Sequence, residues 1–247
     1  SVLAVSGVAL EQNLLTNLED LSSYIPNLVI GDGALTTTIS IRGVGSQPER
    51  GFEQSVALFV DGVYMPRSRQ YRTPFMDVAQ LEIQRGPQAV LYGINATSGA
   101  MTIATNRSLP GDALVADATA EYEFEYGGPR LTAVLGGSPT ETLGLRLAAR
   151  YSDSGDYFLN EYSGNKEGGS KEKLLRLSGV WEPTEASSID IKYEHSEFEF
   201  DGDAGEQFGP PDLNQYVVLG IPGTEDGQLN WVRNMDTDFY PALTEPF

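Results

Sequence analysis

The sequence has no cysteine, and it has one histidine, His195, in 247 residues. Without cysteine, a disulfide framework and a thiol redox site are both excluded. A single histidine leaves little room for a Ser-His-Asp triad or for a metal site built from several histidines. We therefore expect no catalytic residue, no cofactor and no metal site, and we do not expect an enzyme.

Long apolar runs and positive charge are also scarce. No apolar run approaches the roughly 20 residues that a transmembrane helix needs, and the N-terminus, SVLAVSGVAL, lacks the basic segment of a signal peptide. The formal net charge is −19. Because nucleic-acid phosphates require a basic face, we do not expect nucleic acid as a partner.

The charge is spread unevenly along the chain. Residues 1–107 carry nine acidic residues and seven arginines, whereas residues 108–247 carry 26 acidic and nine basic residues. The change falls at residues 106–111, a polar stretch with proline and glycine that is typical of a domain boundary. The sequence therefore predicts two domains, residues 1–107 and residues 108–247.

Residues 1–107 mix helix and strand patterns. Thr16-Asn17-Leu18-Glu19 fits a capping box, and apolar residues follow at helical spacing until Pro26. Asp61-Gly62, between two apolar runs, predicts a hairpin with a two-residue primed turn. Further strands are predicted at residues 39–41, 80–84 and 99–105, so this half is predicted to be an α+β domain.

Residues 108–247 alternate with period two, which predicts about five antiparallel strands, at residues 119–126, 130–136, 143–151, 175–181 and 189–194. One strand face is apolar and aromatic and the other is charged. A soluble β-sandwich shows the same alternation. Strand length, aromatics near strand ends and connections alternating between short (138–141, 182–187) and long (154–170, 202–247) favour a membrane barrel. After Tyr193 the alternation slips, which predicts a bulge or the exit from the bilayer near His195.

The first half carries a series of short motifs spread over most of its length. The motifs are Ile25-Pro26-Asn27-Leu28, Ile41-Arg42-Gly43, Phe59-Val60-Asp61-Gly62-Val63-Tyr64, Leu81-Glu82-Ile83-Gln84-Arg85-Gly86-Pro87-Gln88, Leu91-Tyr92-Gly93, Asn95-Ala96-Thr97, Gly99-Ala100 and Thr105-Asn106-Arg107. In their kind and order they resemble the plug domain of TonB-dependent outer-membrane receptors, and the alternating strands after residue 111 resemble the start of that family's barrel.

The resemblance implies a fold, a function and partners. The fold would be an α+β plug followed by the first antiparallel strands of an incomplete transmembrane β-barrel, where the family has about 22 strands. The function would be TonB-dependent uptake of a scarce solute across the Gram-negative outer membrane, with a ferric siderophore as the first candidate. Partners would be TonB, through an N-terminal segment expected before Ser1, the solute and outer-membrane lipid. A glycan or cobalamin is an alternative solute, and a soluble carbohydrate-binding surface protein is the alternative from another class.

The resemblance also implies roles for individual residues. Arg42 and Arg85 match plug arginines that face the barrel wall and pair with its glutamates, the alternative being ordinary exposed strand-end residues. Solute is expected at loops of the plug's outer apex, where Arg50, Arg67, Arg69, Tyr71 and Arg72 are the candidate ligand-facing residues, the alternative being a solvated face. Independently of the resemblance, glycine and proline predict plug turns. The turn residues are Asp61, Gly62, Gly86, Pro87, Tyr92 and Gly93.

Overall fold

The computed structural model describes residues 2–32, 37–45, 54–67, 70–71, 75–88, 96–125, 127–160, 164–200, 223–224 and 232–235. The chain divides into two compact units, residues 1–107 and residues 108–247. In the described part of the chain, no helix is both long and apolar enough to cross a membrane.

The first unit is built on a five-stranded sheet with a smaller sheet and two short helices. Its elements are β1 (Val2–Ser6), α1 (Gly7–Gln12), α2 (Leu21–Tyr24), β2 (Leu28–Asp32), β3 (Thr37–Ile41), β4 (Val44–Gly45), β5 (Val56–Val60), β6 (Val63–Met65), β7 (Val78–Arg85) and β8 (Gly99–Thr105). The larger sheet has the order β1-β7-β8-β5-β6, and the smaller has the order β2-β3-β4. Among the described strands of this unit, only β5 and β8 pair in parallel.

One face of the larger sheet forms the core of the first unit. Leu58, Ile83 and Met101 have no exposed surface, and Leu21 of α2 packs into the same cluster. Alternate residues of a strand point to opposite faces, so β7 buries Leu81 and Ile83 in the core and places its intervening residues on the other face. The start of α1 lies directly against β7, because a Cβ at Gly7 would overlap the carbonyl oxygen of Val78.

The predicted helix after Thr16 is shorter than its pattern indicates. Only Leu21–Tyr24 is helical, and its N-cap residue, Asp20, makes no side-chain hydrogen bond to the helix. One Asp20 oxygen accepts from the Thr16 amide at 2.6 Å, the Thr16 hydroxyl at 3.0 Å and the Asn17 amide at 3.2 Å. These bonds close the turn that precedes the helix, so the Asp20 side chain stabilises that turn rather than capping the helix.

The second unit is an open antiparallel sheet with a small additional sheet. Its elements are β9 (Val115–Glu123), β10 (Gly128–Thr140), β11 (Leu143–Ser154), β12 (Phe158–Asn160), β13 (Lys166–Glu167), β14 (Ser170–Thr184), β15 (Ser187–Phe200), β16 (Gly223–Thr224) and β17 (Val232–Met235). The larger sheet has the order β9-β10-β11-β14-β15. The prediction of about five antiparallel strands is therefore confirmed.

The connections of the larger sheet alternate in length. Two-residue turns at 141–142 and 185–186 join β10 to β11 and β14 to β15. The connection from β11 to β14 contains β12 and β13, which pair with each other. β12 also pairs with β17, which in turn pairs with β16. Short strands therefore lie within both of the predicted long connections.

The predicted bulge near His195 is absent. The register of β15 against β14 runs without interruption from Ile189 opposite Trp181 to Phe200 opposite Ser170. The residue type changes after Tyr193 because the surroundings of the strand change there, while the strand itself stays regular. Its only irregularity among the described pairs lies at the opposite end, next to the two-residue turn.

Candidate functional site

Arg85 is the last residue of β7, and it pairs with Gly99, the first residue of β8, in the larger sheet of the first unit. Gly86 follows with a φ of 95°, which suits glycine, and its amide donates to the Ser98 carbonyl at 3.0 Å. The turn is thereby tied to the start of β8. The half-buried Arg85 side chain has no ion-pair partner among the described residues, and its predicted contact with a barrel wall stays a prediction.

Arg42 lies one residue beyond β3, in the turn to β4. Arg42 and Gly43 have φ values of 55° and 78°, and Ile41 pairs with Val44 across the turn. Two successive left-handed residues make this a tight primed turn, a conformation that arginine adopts at some cost. The Arg42 amide donates to the Asn27 carbonyl at 2.8 Å, and the residue is exposed. The turn therefore presents the arginine side chain outward.

Asp61 does more than form a turn. Asp61 and Gly62, with φ values of 48° and 81°, join β5 to β6. The Asp61 carboxylate also accepts from the Thr105 amide at 2.7 Å and from the Thr105 hydroxyl at 2.6 Å. Charge-assisted bonds of this length are strong, so Asp61 fastens the end of β8.

Asp77 fastens the residue that follows Thr105. It also has a left-handed backbone, with a φ of 54°. Its carbonyl accepts from the Asn106 amide at 2.8 Å, and its carboxylate accepts from the Asn106 side-chain amide at 3.0 Å. The sequence analysis missed this residue, because no local pattern marks an aspartate that acts on a strand so far away in the chain.

The candidate ligand-facing residues do not share one environment. Arg67 is exposed, and its amide donates to Oε1 of Gln70 at 3.0 Å. Tyr71 is fully buried in the plug core, and its hydroxyl donates to the Val56 carbonyl at 3.0 Å. We therefore reassign Tyr71 from the ligand-facing set to the core. The remaining candidates Arg50, Arg69 and Arg72, and the turn residues Tyr92 and Gly93, lie outside the described residues.

The buried hydroxyl predicts a pH dependence of plug stability. Burial raises the pKa of Tyr71 above its ordinary value of 10.0. The unfolded chain loses this proton near pH 10 and the folded chain retains it, so this contribution to stability is complete below about pH 10 and declines above it. We expect Tyr71→Phe to lower the free energy of unfolding by about 1 kcal/mol at pH 7 and to weaken the alkaline decline.

Urea unfolding of residues 1–107 between pH 7 and pH 11.5 measures both effects. Tyr24→Phe is the matched control, because the Tyr24 ring is 47% exposed and its replacement should hardly change the free energy of unfolding at pH 7. An alkaline decline of the same size in wild type and Tyr71→Phe would contradict the assignment.

The larger sheet of the second unit has one exposed apolar face. Leu135, Leu147, Leu177 and Tyr193 lie side by side on neighbouring strands, with exposures of 51%, 39%, 48% and 58%. Towards the short turns the face ends with Trp181 and Ile189, which pair with one another. A soluble sheet would bury such a continuous surface, so this face is suited to hydrocarbon.

Charged residues border this apolar face on the side of the long connections. Lys173 contacts Glu197 with Nζ and Oε2 3.0 Å apart, level with Tyr151 on the neighbouring strand. From Leu143 to Tyr151 a strand tilted by about 40° rises about 20 Å, close to the roughly 25 Å apolar band of outer-membrane barrels. The height of the face thus matches one membrane crossing.

The opposite face of the same sheet is polar and ion-paired. Nε of Arg176, a buried residue, donates to Oε2 of Glu194 at 2.7 Å, and Nζ of Lys192 lies 3.3 Å from the same oxygen. Nη1 of Arg130 lies 3.3 Å from Oε2 of Glu121. An apolar outward face backed by a charged inward face is the arrangement of a transmembrane β-barrel wall.

Comparison with known proteins decides the family. The family model described as TonB-dependent Receptor Plug Domain matches residues 1–100. The chain belongs to the TonB-dependent receptors. The pesticin receptor of Yersinia enterocolitica is 30% identical over 194 residues, which cover 73% of this chain and 27% of the receptor. The iron-regulated outer membrane virulence protein of Vibrio cholerae is 29% identical over 120 residues, 43% of this chain and 17% of that protein. The matches thus span well under two thirds of these relatives' length.

Solved structures show the same fold. The ferric yersiniabactin uptake receptor of Yersinia pestis has a TM-score of 0.72 and 23% identity, over 81% of this chain and 32% of that chain. The ferric preacinetobactin receptor of Acinetobacter baumannii has a TM-score of 0.66 and 15% identity, over 85% and 30%. At these identities the likeness shows the fold alone. It confirms the predicted fold, an α+β plug domain followed by antiparallel barrel strands, and the described strands leave the barrel open.

Proposed function

We propose that this chain is part of a non-enzymatic outer-membrane receptor that takes up a ferric siderophore with energy delivered through TonB. The observation that carries the proposal is the plug domain joined in one chain to a sheet with an apolar outward face and an ion-paired inward face. The names of the similar proteins support iron as the cargo, since they include an iron-regulated outer membrane protein and a ferric yersiniabactin uptake receptor.

The partners follow from this proposal. TonB would act on a segment before Ser1, outer-membrane lipid would surround the apolar face, and the solute would enter from the side of the long connections. Arg42 and Arg85 are proposed to pair with carboxylates of the barrel wall, because a guanidinium stays charged and can bind two carboxylate oxygens at once. Arg50, Arg67, Arg69 and Arg72 are proposed to meet an anionic ferric complex.

Uptake of radioactive iron by cells tests the proposal. A strain lacking the gene is compared with its complemented parent while iron is offered as phenolate, catecholate, hydroxamate or carboxylate siderophore complexes. We expect at least one complex to be taken up only by the complemented strain, and a protonophore to stop that uptake. If iron uptake is identical in both strains while labelled cobalamin or a glycan requires the gene, the cargo is wrong and the receptor class stands.

A further inference from the structure

Basic residues descend diagonally across the inward face of the five-stranded sheet. The series is Arg130 on β10, Arg150 on β11, Arg176 on β14 and Lys192 on β15. The register pairs Arg130 with Ser152, Arg150 with Leu174 and Arg176 with Glu194, so each residue lies two positions nearer the short turns than the one before. Diagonal neighbours of this kind are about 7–8 Å apart, so the four cations form a continuous series.

Arg150 differs from its neighbours in the series because it forms no ion pair with any carboxylate in the described part of the chain. Arg130, Arg176 and Lys192 each form an ion pair. Among the described residues, the only hydrogen bond of the Arg150 side chain is a long one from Nε to the Thr132 hydroxyl, at 3.4 Å. Since guanidinium has five N–H donors, both terminal amino groups of Arg150 lack a protein acceptor there.

Two cations and two carboxylates act on the charge of Arg150, which is itself largely shielded from water. Arg130 and Arg176 add positive potential at its guanidinium, and Glu121 and Glu172 oppose it. Glu121 is already bound to Arg130, and Glu172 forms no ion pair among the described residues. A carboxylate placed against the free edge of Arg150 would therefore gain a bidentate contact and a second cation nearby.

We propose that Arg150, supported by Arg130, is a binding point on the inner barrel wall for a carboxylate group of the transported solute. The proposal rests on the proposed uptake function and extends it to the chemistry of the cargo. Glu172 sets the strength of the site by repelling the bound anion.

Citrate binding to the purified complete receptor in detergent tests the site. Isothermal titration calorimetry at low ionic strength is expected to detect binding to wild type, about tenfold weaker binding to Arg150→Gln, and several-fold tighter binding to Glu172→Gln. Lys173→Gln is the matched control for Arg150→Gln, because it removes one cation from the outward face of the neighbouring strand, β14. Its citrate affinity should equal that of wild type.

Each outcome decides the proposal. No citrate binding by wild type, or equal affinity in wild type and Arg150→Gln, overturns it. Should Arg150→Gln fail to reach the membrane, Glu172→Gln decides alone, and unchanged or weaker binding there overturns the site. Arg150-dependent citrate binding without any gene-dependent iron uptake would refute the iron cargo and leave the wall site standing. Iron uptake without citrate binding would refute the wall site alone.

Discussion

Replacement of Leu177 by arginine is expected to prevent stable insertion of the complete receptor into the outer membrane. Leu177 lies in the row with Leu147 and Tyr193, about half-way up the apolar face. Arginine at the membrane midplane on the lipid side of a barrel costs about 2–4 kcal/mol. The expected result is strong loss of receptor from outer-membrane fractions, together with accumulation of degradation products.

An arginine on the other face should be tolerated. Thr119→Arg places the same side chain at an exposed position of β9, on the face that carries Glu121 and Arg130. We expect this variant to reach the outer membrane at wild-type level, as measured by immunoblotting of membrane fractions and by protease protection in whole cells. Equal insertion of both variants would mean that the apolar face does not meet lipid.

The period-two pattern predicted the strands of the second unit well, for a physical reason. A barrel strand contacts lipid on one side and a polar interior on the other. Successive residues therefore alternate between apolar and polar side chains, and this alternation is visible in the sequence. The slip after Tyr193 shows the limit of the pattern. Residue type changes when the surroundings change, and the regular register of β15 shows that the backbone need not change with it.

The plug was harder to predict from its local sequence. β1, α1 and β2 are short elements, of five, six and five residues, whose form depends on partners far along the chain. Tyr71 was misassigned because its sequence neighbours include arginines, whereas its side chain turns into the core to reach Val56. The composition of a segment indicates the average environment of its residues. A single large side chain in that segment can lie in a different environment.

The ion pairs of the second unit also depend on contacts that the local sequence does not reveal. Alternation alone places Arg146 and Arg150 on the polar face of their strand. Which arginine finds a carboxylate depends on the register between strands, because Glu194 lies directly opposite Arg176 while Leu174 lies opposite Arg150. Register is fixed by the turns and by the whole sheet. That Arg150 has no ion-pair partner among the residues described therefore could not be predicted from one strand at a time.

The two units are expected to behave differently when separated. All buried apolar residues of the described chain lie in residues 1–107 except Ala148, Leu174 and Val180. Residues 1–107 therefore contain a complete core, and a domain of this size typically has about 5 kcal/mol or more of stability. Residues 108–247 instead expose an apolar face and leave β9 and β15 with one unpaired edge each in the described sheet. In water such a sheet has too little buried surface to fold alone and an edge that favours aggregation.

Circular dichroism of the two pieces in detergent-free buffer measures the difference. Residues 1–107 should be soluble and unfold in one cooperative transition, whereas residues 108–247 should aggregate or change signal gradually with temperature. Leu58→Ala is the control that ties the transition to the core, since Leu58 is fully buried and its truncation should cost about 2–5 kcal/mol. A cooperative transition from residues 108–247 in buffer would mean that the aromatic and leucine side chains can pack without lipid, which would refute the barrel-wall assignment on which the proposed function depends.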